Sequence, residues 1–343
     1  MSAGWDGGAL LQPIAADKPC GEDVEYTLLP VLDGFQVFGQ SRRLDVPDTA
    51  PPNGGERPWK PPDWGEIRER ALEGVSRSKD LRLLAHLAAA LLRTDGVPAF
   101  VRTLSIASQW LTEYWPGVYP VVDQDAMTRR NALNCLADPM AVIDALRRAP
   151  LVASRQHGKV GVRDVEIATG AQQPIAGEAR IDDAEIKAAF AEAPLDDLVV
   201  LQESVTGGLA SLKQIETTML TQGGSGAVPD FDTLSAQLAK IDRVLREQVA
   251  SRAPAAENAV SAAMATPGGE VMAVGNIRSR QDAIRALEAA AEFFRRNEPS
   301  SPVPLLIDRA KRLVSKNFLE VLADVAPDGL SQARSVSGVS NGE

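Results

Sequence analysis

A chain of 343 residues is long enough for two or three domains, each burying its own core. Hydrophobic residues at 44% and charged residues at 24% are the balance of a folded globular protein, and an aromatic share of 5% beside abundant Ala and Leu favours helices packed by aliphatic side chains. A net charge of −10 argues against nucleic acid as a partner, because phosphate binding draws on Lys and Arg.

The N-terminus, Met1 to Gln12, carries Asp6 and several glycines where a signal peptide needs positive charge followed by an apolar run. No stretch of about 18 apolar residues is present, so no membrane insertion is expected and the chain reads as cytoplasmic. Residues up to about 62 are irregular, with Pro47, Pro51, Pro52, Pro58, Pro61 and Pro62 around Asn53-Gly54-Gly55, which reads as a loop or an extended arm. Ser78 can cap a helix carrying Leu81, Leu84, Ala85, Ala88, Leu91 and Leu92 at the 3.6-residue period. A second helix holds Phe100, Val101, Leu104, Ala107, Leu111 and Tyr114 and stops at Pro116-Gly117. A third is expected from about Thr128 to Arg148, with Leu133, Leu136, Met140 and Ile143 inward. Short connections make these an antiparallel bundle.

Between Leu151 and Ile167 the period changes, and Val160, Val162 and Val165 with Gly158 and Gly161 suggest a short hairpin. Leu198, Leu201, Val205, Leu212, Ile215 and Met219 then alternate steps of three and four, with Gly208 in the missing slot. After Gly223-Gly224-Ser225-Gly226, Phe231, Leu234, Leu238, Ile241 and Leu245 repeat the spacing. This is an antiparallel helical hairpin whose remaining apolar edge needs a third surface, either the first domain or another subunit.

Residues 253–276 are rich in Ala, Pro, Gly and Met and read as a flexible linker. Behind it stands a helical module of about 50 residues, a size at which a lone core is marginal. Ser279 caps its first helix, with Ile284, Leu287, Ala291 and Phe294 inward. Ser301-Pro302 opens the next, with Leu305, Leu306, Ala310 and Leu313 inward, and a last turn holds Phe318, Leu319 and Leu322. Phe293 and Phe294 are adjacent, and successive helix positions point about 100° apart, so one is left to meet a neighbour. The module is therefore expected to gain stability by oligomerising.

Catalytic chemistry finds little purchase. His86 shares a helix face with Arg82 and Arg93 and reads as solvated, and His157 sits in a turn with no obvious carboxylate or Cys partner. Cys20 and Cys135 are far apart and read as free thiols. Gly338-Val339-Ser340-Asn341-Gly342 matches a serine-hydrolase pattern but lacks the strand-to-helix setting which that motif requires. Glu22, Asp23 and Glu25 read as helix-start acids rather than a cation site. Arg309, Lys311, Arg312 and Lys316 form a basic strip that suits solvent or an acidic partner. No cofactor or metal site is expected.

Six segments carry a family resemblance. Pro19-Cys20-Gly21-Glu22-Asp23, Pro62-Asp63-Trp64, Ser76-Arg77-Ser78-Lys79-Asp80-Leu81-Arg82, Tyr114-Trp115-Pro116-Gly117-Val118-Tyr119-Pro120 and Arg129-Arg130-Asn131-Ala132-Leu133 together resemble the N-terminal ImpA domain of type VI secretion proteins. At the other end, Phe293-Phe294-Arg295-Arg296-Asn297-Glu298-Pro299-Ser300-Ser301-Pro302-Val303-Pro304 resembles the C-terminal module of TssA proteins. The resemblance implies a mainly α, non-enzymatic component of a contractile injection machine, at the secretion apparatus on the inner face of the cytoplasmic membrane. It implies a C-terminal ring, a multiple of six, with baseplate subunits, the Hcp tube, the VgrG spike and sheath proteins as partners. The modest chain length favours a baseplate-associated form.

The expected organisation is an ImpA-like domain over 1–177, a helical middle region over 178–252, the linker 253–276, a ring-forming module over 277–331 and a disordered tail, 332–343. Phe293, Phe294, Pro302, Pro304, Arg309 and Arg312 are the candidate self-association or partner surface. A helical regulatory or small-molecule-binding protein is the alternative, and would require a deep apolar pocket with convergent polar groups.

Overall fold

The structure, a computed structural model, describes residues 5–47, 59–122, 126–174, 181–252, 280–297 and 302–314. It divides into two compact units, Met1–Ala255 and Ala256–Glu343.

In the first unit several helices start where a side chain accepts from a free N–H group. The short α1 (Leu29–Asp33) precedes α2 (Trp64–Arg77), whose first turn is capped by Asp63 accepting from the Glu66 N–H at 3.1 Å. Such a cap contributes about 1 kcal/mol. The next helix, α3 (Leu81–Thr94), is capped by Asp80, which accepts from the Arg82 N–H at 2.8 Å. Ser78, the cap expected from sequence, instead ends α2, and its N–H donates to the Gly74 carbonyl. The cap moves because residues 78–80 are extended and bridged on both sides, Gly21 to Ser78 and Asp80 to Tyr119.

Leu81, Leu83, Leu84 and every residue from Ala85 to Leu92 are buried, so α3 is a central helix rather than an amphipathic one. This overturns the solvated reading of His86, which is 3% exposed. The irregular N-terminal region covers the Arg82–His86–Arg93 face and meets it with a carboxylate at each step. Arg82 pairs with Glu25 at 3.1 Å, His86 Nε2 lies 3.3 Å from Asp33 and Arg93 pairs with Asp45 at 3.0 Å. Val24, Leu29, Leu32, Val37 and Leu44 are buried beneath, so this region is part of the core; most of the proline-rich stretch, residues 48–58, lies outside the described residues.

A turn at Gly96, with φ of 86°, leads into α4 (Val97–Glu113). The helix expected over 128–148 is broken. It comprises α5 (Met127–Asn134), a 3-10 turn (Cys135–Ala137), a π turn (Pro139–Ile143) and α6 (Asp144–Arg148). Pro139 has no N–H to continue the ladder, and Asp138 restarts it by accepting from Met140 N–H at 3.0 Å and Ala141 N–H at 2.7 Å.

The expected hairpin is β1 (Pro150–Ser154) against β2 (Gly158–Gly161), antiparallel, with Gly158 at φ of 74° in its turn. Val162 and Val165 fall in α7 (Val162–Ala168) instead, since Asp164 accepts from the Gly161 N–H at 2.8 Å and starts a helix there. Glu166 on α7 binds Arg147 of α6 at 2.6 Å and Lys240 at 2.9 Å.

After α8 (Asp183–Glu192), α9 (Leu195–Gly223) and α10 (Asp232–Arg252) form the long hairpin read from the heptads. Its third surface is α4: a Cβ at Gly208 would stand 2.8 Å from the Val101 side chain, a close approach that glycine permits. Residues on both sides of position 178 thus share one compact unit. Arg252 closes α10 by donating to the carbonyls of Phe190 at 2.9 Å and Ala193 at 2.7 Å.

The described part of the second unit is a helical pair, α11 (Arg280–Asn297) and α12 (Val303–Val314), tied by Arg295–Asp308 at 2.7 Å and Lys311–Glu288 at 2.8 Å. Ala291 is buried, with Ile284, Leu287 and Phe294 half-buried on the same stripe. Leu305 and Leu306, expected inward, are 74% and 63% exposed. Pro304 is buried and Ile307, Asp308 and Lys311 half-buried, so this face turns inward and carries the two leucines outward. The linker, the tail, Phe318, Leu319 and Leu322 lie outside the described residues.

Candidate functional site

The segments that are separate in sequence converge in the first unit. Cys20-Gly21 lies along Ser78-Lys79: the Cys20 carbonyl accepts from the Lys79 N–H at 2.9 Å, and the Glu22 N–H donates to Arg77 at 3.2 Å. Lys79-Asp80-Leu81 pairs in turn with Tyr119, whose N–H donates to Lys79 and whose carbonyl accepts from Leu81. Gly21 is needed at this crossing. Its φ is 75°, and a Cβ there would stand 2.0 Å from the Arg77 carbonyl oxygen.

Two cations lie buried at the centre. Arg129, 0% exposed, donates to the carbonyls of Pro120 at 2.9 Å and Val118 at 2.5 Å and stacks 4.6 Å from the Trp115 ring. Lys79, 1% exposed, donates to the carbonyls of Leu10 at 2.7 Å and Gln12 at 2.8 Å. Burial lowers the pKa of both, Arg129 to about 10. Burial likewise pushes the neighbouring Cys20 thiol up, against the charges of Lys79 and Arg129. Carbonyls and aromatic faces solvate these cations, an arrangement that holds chain segments together.

An ionic rim surrounds them. Arg77 binds Glu22 at 2.6 Å, and Arg82 binds Asp80 at 2.7 Å as well as Glu25. Burial works against the Arg82 charge, but the Asp80 and Glu25 carboxylates outweigh it and raise its pKa. Tyr26 stands 88% exposed beside this rim. The acids Glu22 and Glu25 are therefore committed to arginines rather than to a helix start. Sequence reading singled out Lys79 and Arg129 only within longer motifs. The burial of Lys79 had no local signal, because its acceptors Leu10 and Gln12 lie 69 and 67 residues away, whereas Arg129 is held by nearby Val118 and Pro120.

Of the residues named from sequence in the second unit, Phe294 is half-buried, Pro304 buried, and Pro302 and Arg309 exposed. The Pro302 carbonyl opens α12, accepting from Leu305 N–H at 3.2 Å and Leu306 N–H at 3.3 Å. Phe293 and Arg312 lie on α11 and α12, with side chains outside the described residues. Lys311 of the basic strip is taken by Glu288.

The chemistry of catalysis is thinly represented. His157 Nε2 lies 3.9 Å from Glu192, a carboxylate that sequence did not reveal. Among the described residues no group of three or more metal-ligating side chains occurs. Two open grooves, of about 500 and 480 Å³, are lined by residues such as Arg102, Ser105 and Ser204, and by Leu151, Glu192 and Asp197. Neither has the enclosed apolar form that a small-molecule site needs. No helix among the described residues is long and apolar enough to cross a membrane.

Residues 11–138, which span the converging segments, match the family described as ImpA, N-terminal, type VI secretion system. Over 347 residues the chain is 33% identical to the type VI secretion system component TssA1 of Pseudomonas aeruginosa, covering 96% of this chain and 97% of that protein. The fold is similar to a solved N-terminal domain of the TssA component from Burkholderia cenocepacia, with a TM-score of 0.53 at 20% identity. That match covers 72% of this chain and 94% of the solved one.

Proposed function

Because the chain belongs to the TssA family of type VI secretion system components, we propose that it is a non-enzymatic assembly protein that oligomerises and binds other parts of that machine. The observation that carries this reading is similarity along almost the whole chain, through both compact units and not the ImpA region alone. The second unit, with its 277–331 core, forms the ring, its subunit number a multiple of six. Baseplate subunits, the Hcp tube, the VgrG spike and sheath proteins are the partners, met at the inner face of the cytoplasmic membrane.

The described helix pair supports self-association in physical terms. Ala291 and Pro304 are its buried side chains among the described residues, while Leu305 and Leu306 face outward, so the pair gains from a further apolar surface. Many weak contacts repeated around a ring add through effective concentration.

Absolute mass by light scattering tests the assignment. The full chain is expected to be a large homo-oligomer, and a chain ending at Ala255 a smaller soluble species. A truncated chain that keeps the full assembly mass would place the ring contact in the first unit.

A further inference from the structure

The hairpin of β1 and β2 is a two-stranded sheet, so β1 keeps one edge with no strand beside it. Along an antiparallel pair, the main-chain groups of alternate residues point away from the partner strand. Among the described residues Leu151, Val152 and Ala153 make no main-chain hydrogen bond outside the pairing with β2. Free edges are commonly blunted by proline, a bulge or a charge. The start of β1 has Pro150 and an irregular register between Pro150 and Val152. Beyond it, Val152-Ala153-Ser154 carries no charge.

The groove of about 480 Å³ follows this edge. Val152 is buried and Ala153 exposed, on opposite faces of the strand, yet both line the groove, and no residue of β2 does. The other lining comes from the turn between α8 and α9, with Glu192 and Asp197. Glu192 accepts from the Ser154 hydroxyl at 2.5 Å, which ties that turn to the end of β1. Asp197, in the first turn of α9, and Arg155, after β1, have no ion-pair partner among the described residues. Two carboxylates therefore face one guanidinium along the groove.

We propose that the outer edge of β1 docks an extended segment of a partner protein, which adds a third strand to the hairpin and brings a Lys or Arg to Glu192 and Asp197. In strand addition the main-chain bonds supply affinity and the groove beside the edge selects side chains. A helix is a poor occupant, because its own main-chain groups are already bonded to one another. The excess of carboxylates over Arg155 is what calls for a basic side chain. The surface belongs to the first unit and stands apart from ring formation by the second.

Two measurements on the full chain test it. In the first, the probe is a labelled peptide, acetyl-Thr-Val-Lys-Val-Thr-Val-amide, read by fluorescence anisotropy at low salt. Saturable binding is expected. It should weaken at least about tenfold when the alternate nitrogens along one edge of the peptide are methylated, because several main-chain bonds are lost. It should weaken at least about threefold when Glu replaces the peptide's Lys, a difference that Asp197→Asn should narrow while leaving the effect of methylation in place. No saturable binding, or equal binding of the plain and methylated peptides, would overturn the proposal. In the second, a photo-crosslinker replaces Ala153, and irradiation with the peptide present should join the two. Crosslinks that run instead to another segment of the same chain, or to a second copy, would give the edge to the protein itself and overturn the assignment to a partner.

Discussion

Glu166→Gln should destabilise the first unit by about 2 kcal/mol at pH 7, and the loss should fade in acid. Glu166 joins three helices, binding Arg147 of α6 at 2.6 Å and Lys240 of α10 at 2.9 Å from α7. Removing one member of a fully buried pair costs about 3–5 kcal/mol. The Glu166 side chain is 11% exposed, but Arg147 is 24% and Lys240 47% exposed, so water recovers much of the loss. Screening leaves about 1.5 kcal/mol for the Arg147 contact and about 0.5 for Lys240. Burial alone would raise the Glu166 carboxyl, yet the hydrogen bonds and charges of Arg147 and Lys240 outweigh it and hold its pKa below the ordinary 4.5. A depressed pKa means the contribution is complete above that ordinary value and disappears as pH falls through the lower folded value. All five tryptophans lie between residues 5 and 115, so their fluorescence in urea reports the first unit alone. With a slope of about 3 kcal/mol/M, the midpoint should fall by about 0.7 M at pH 7. Equal midpoints at pH 7, or a gap that persists undiminished below the folded pKa, would refute the reasoning.

Gly21→Ala should cost about 2 kcal/mol or more in the same assay, because it adds a Cβ at positive φ against the Arg77 carbonyl. Phe231→Ala should cost about 3–5 kcal/mol, since Phe231 is 0% exposed between the long helices; a loss under 1 kcal/mol would contradict its place in the core. Burial pushes the Cys135 thiol to about 11, helped by the charges of Asp138 and Asp33, and burial also raises Cys20. Both thiols should therefore react at pH 8 at least about tenfold more slowly in the native chain than after unfolding in guanidinium, as followed with a chromogenic thiol reagent.

The sequence was most readable where one element fixes its own pattern. The heptads from Leu198 to Met219 and from Phe231 to Leu245 marked both helices of the long hairpin, and Gly158 and Gly161 marked the short one. Legibility failed where a distant segment decides the outcome. His86 lies on a charged face, and only the N-terminal covering with Glu25, Asp33 and Asp45 turns that face inward. Leu305 and Leu306 follow a helical period, but proline at 304 and the ion pairs to α11 choose the opposite face. Pro139 was in plain view, and the long apolar period around it concealed the break. The motifs of the ImpA region named their residues without revealing that Lys79 and Arg129 are buried cations held by carbonyls.

Arg252 gives the point where the chain leaves the first unit a mechanical character. Its guanidinium grips Phe190 and Ala193, the corner between α8 and α9, while the backbone continues beyond it. A pull from the C-terminal side cannot peel the last turn of α10 until those two charge-assisted bonds give way together. Tension is thereby passed to the corner and spread over three helices. Such a clamp lets the first unit carry load at the end of α10 without that helix unravelling.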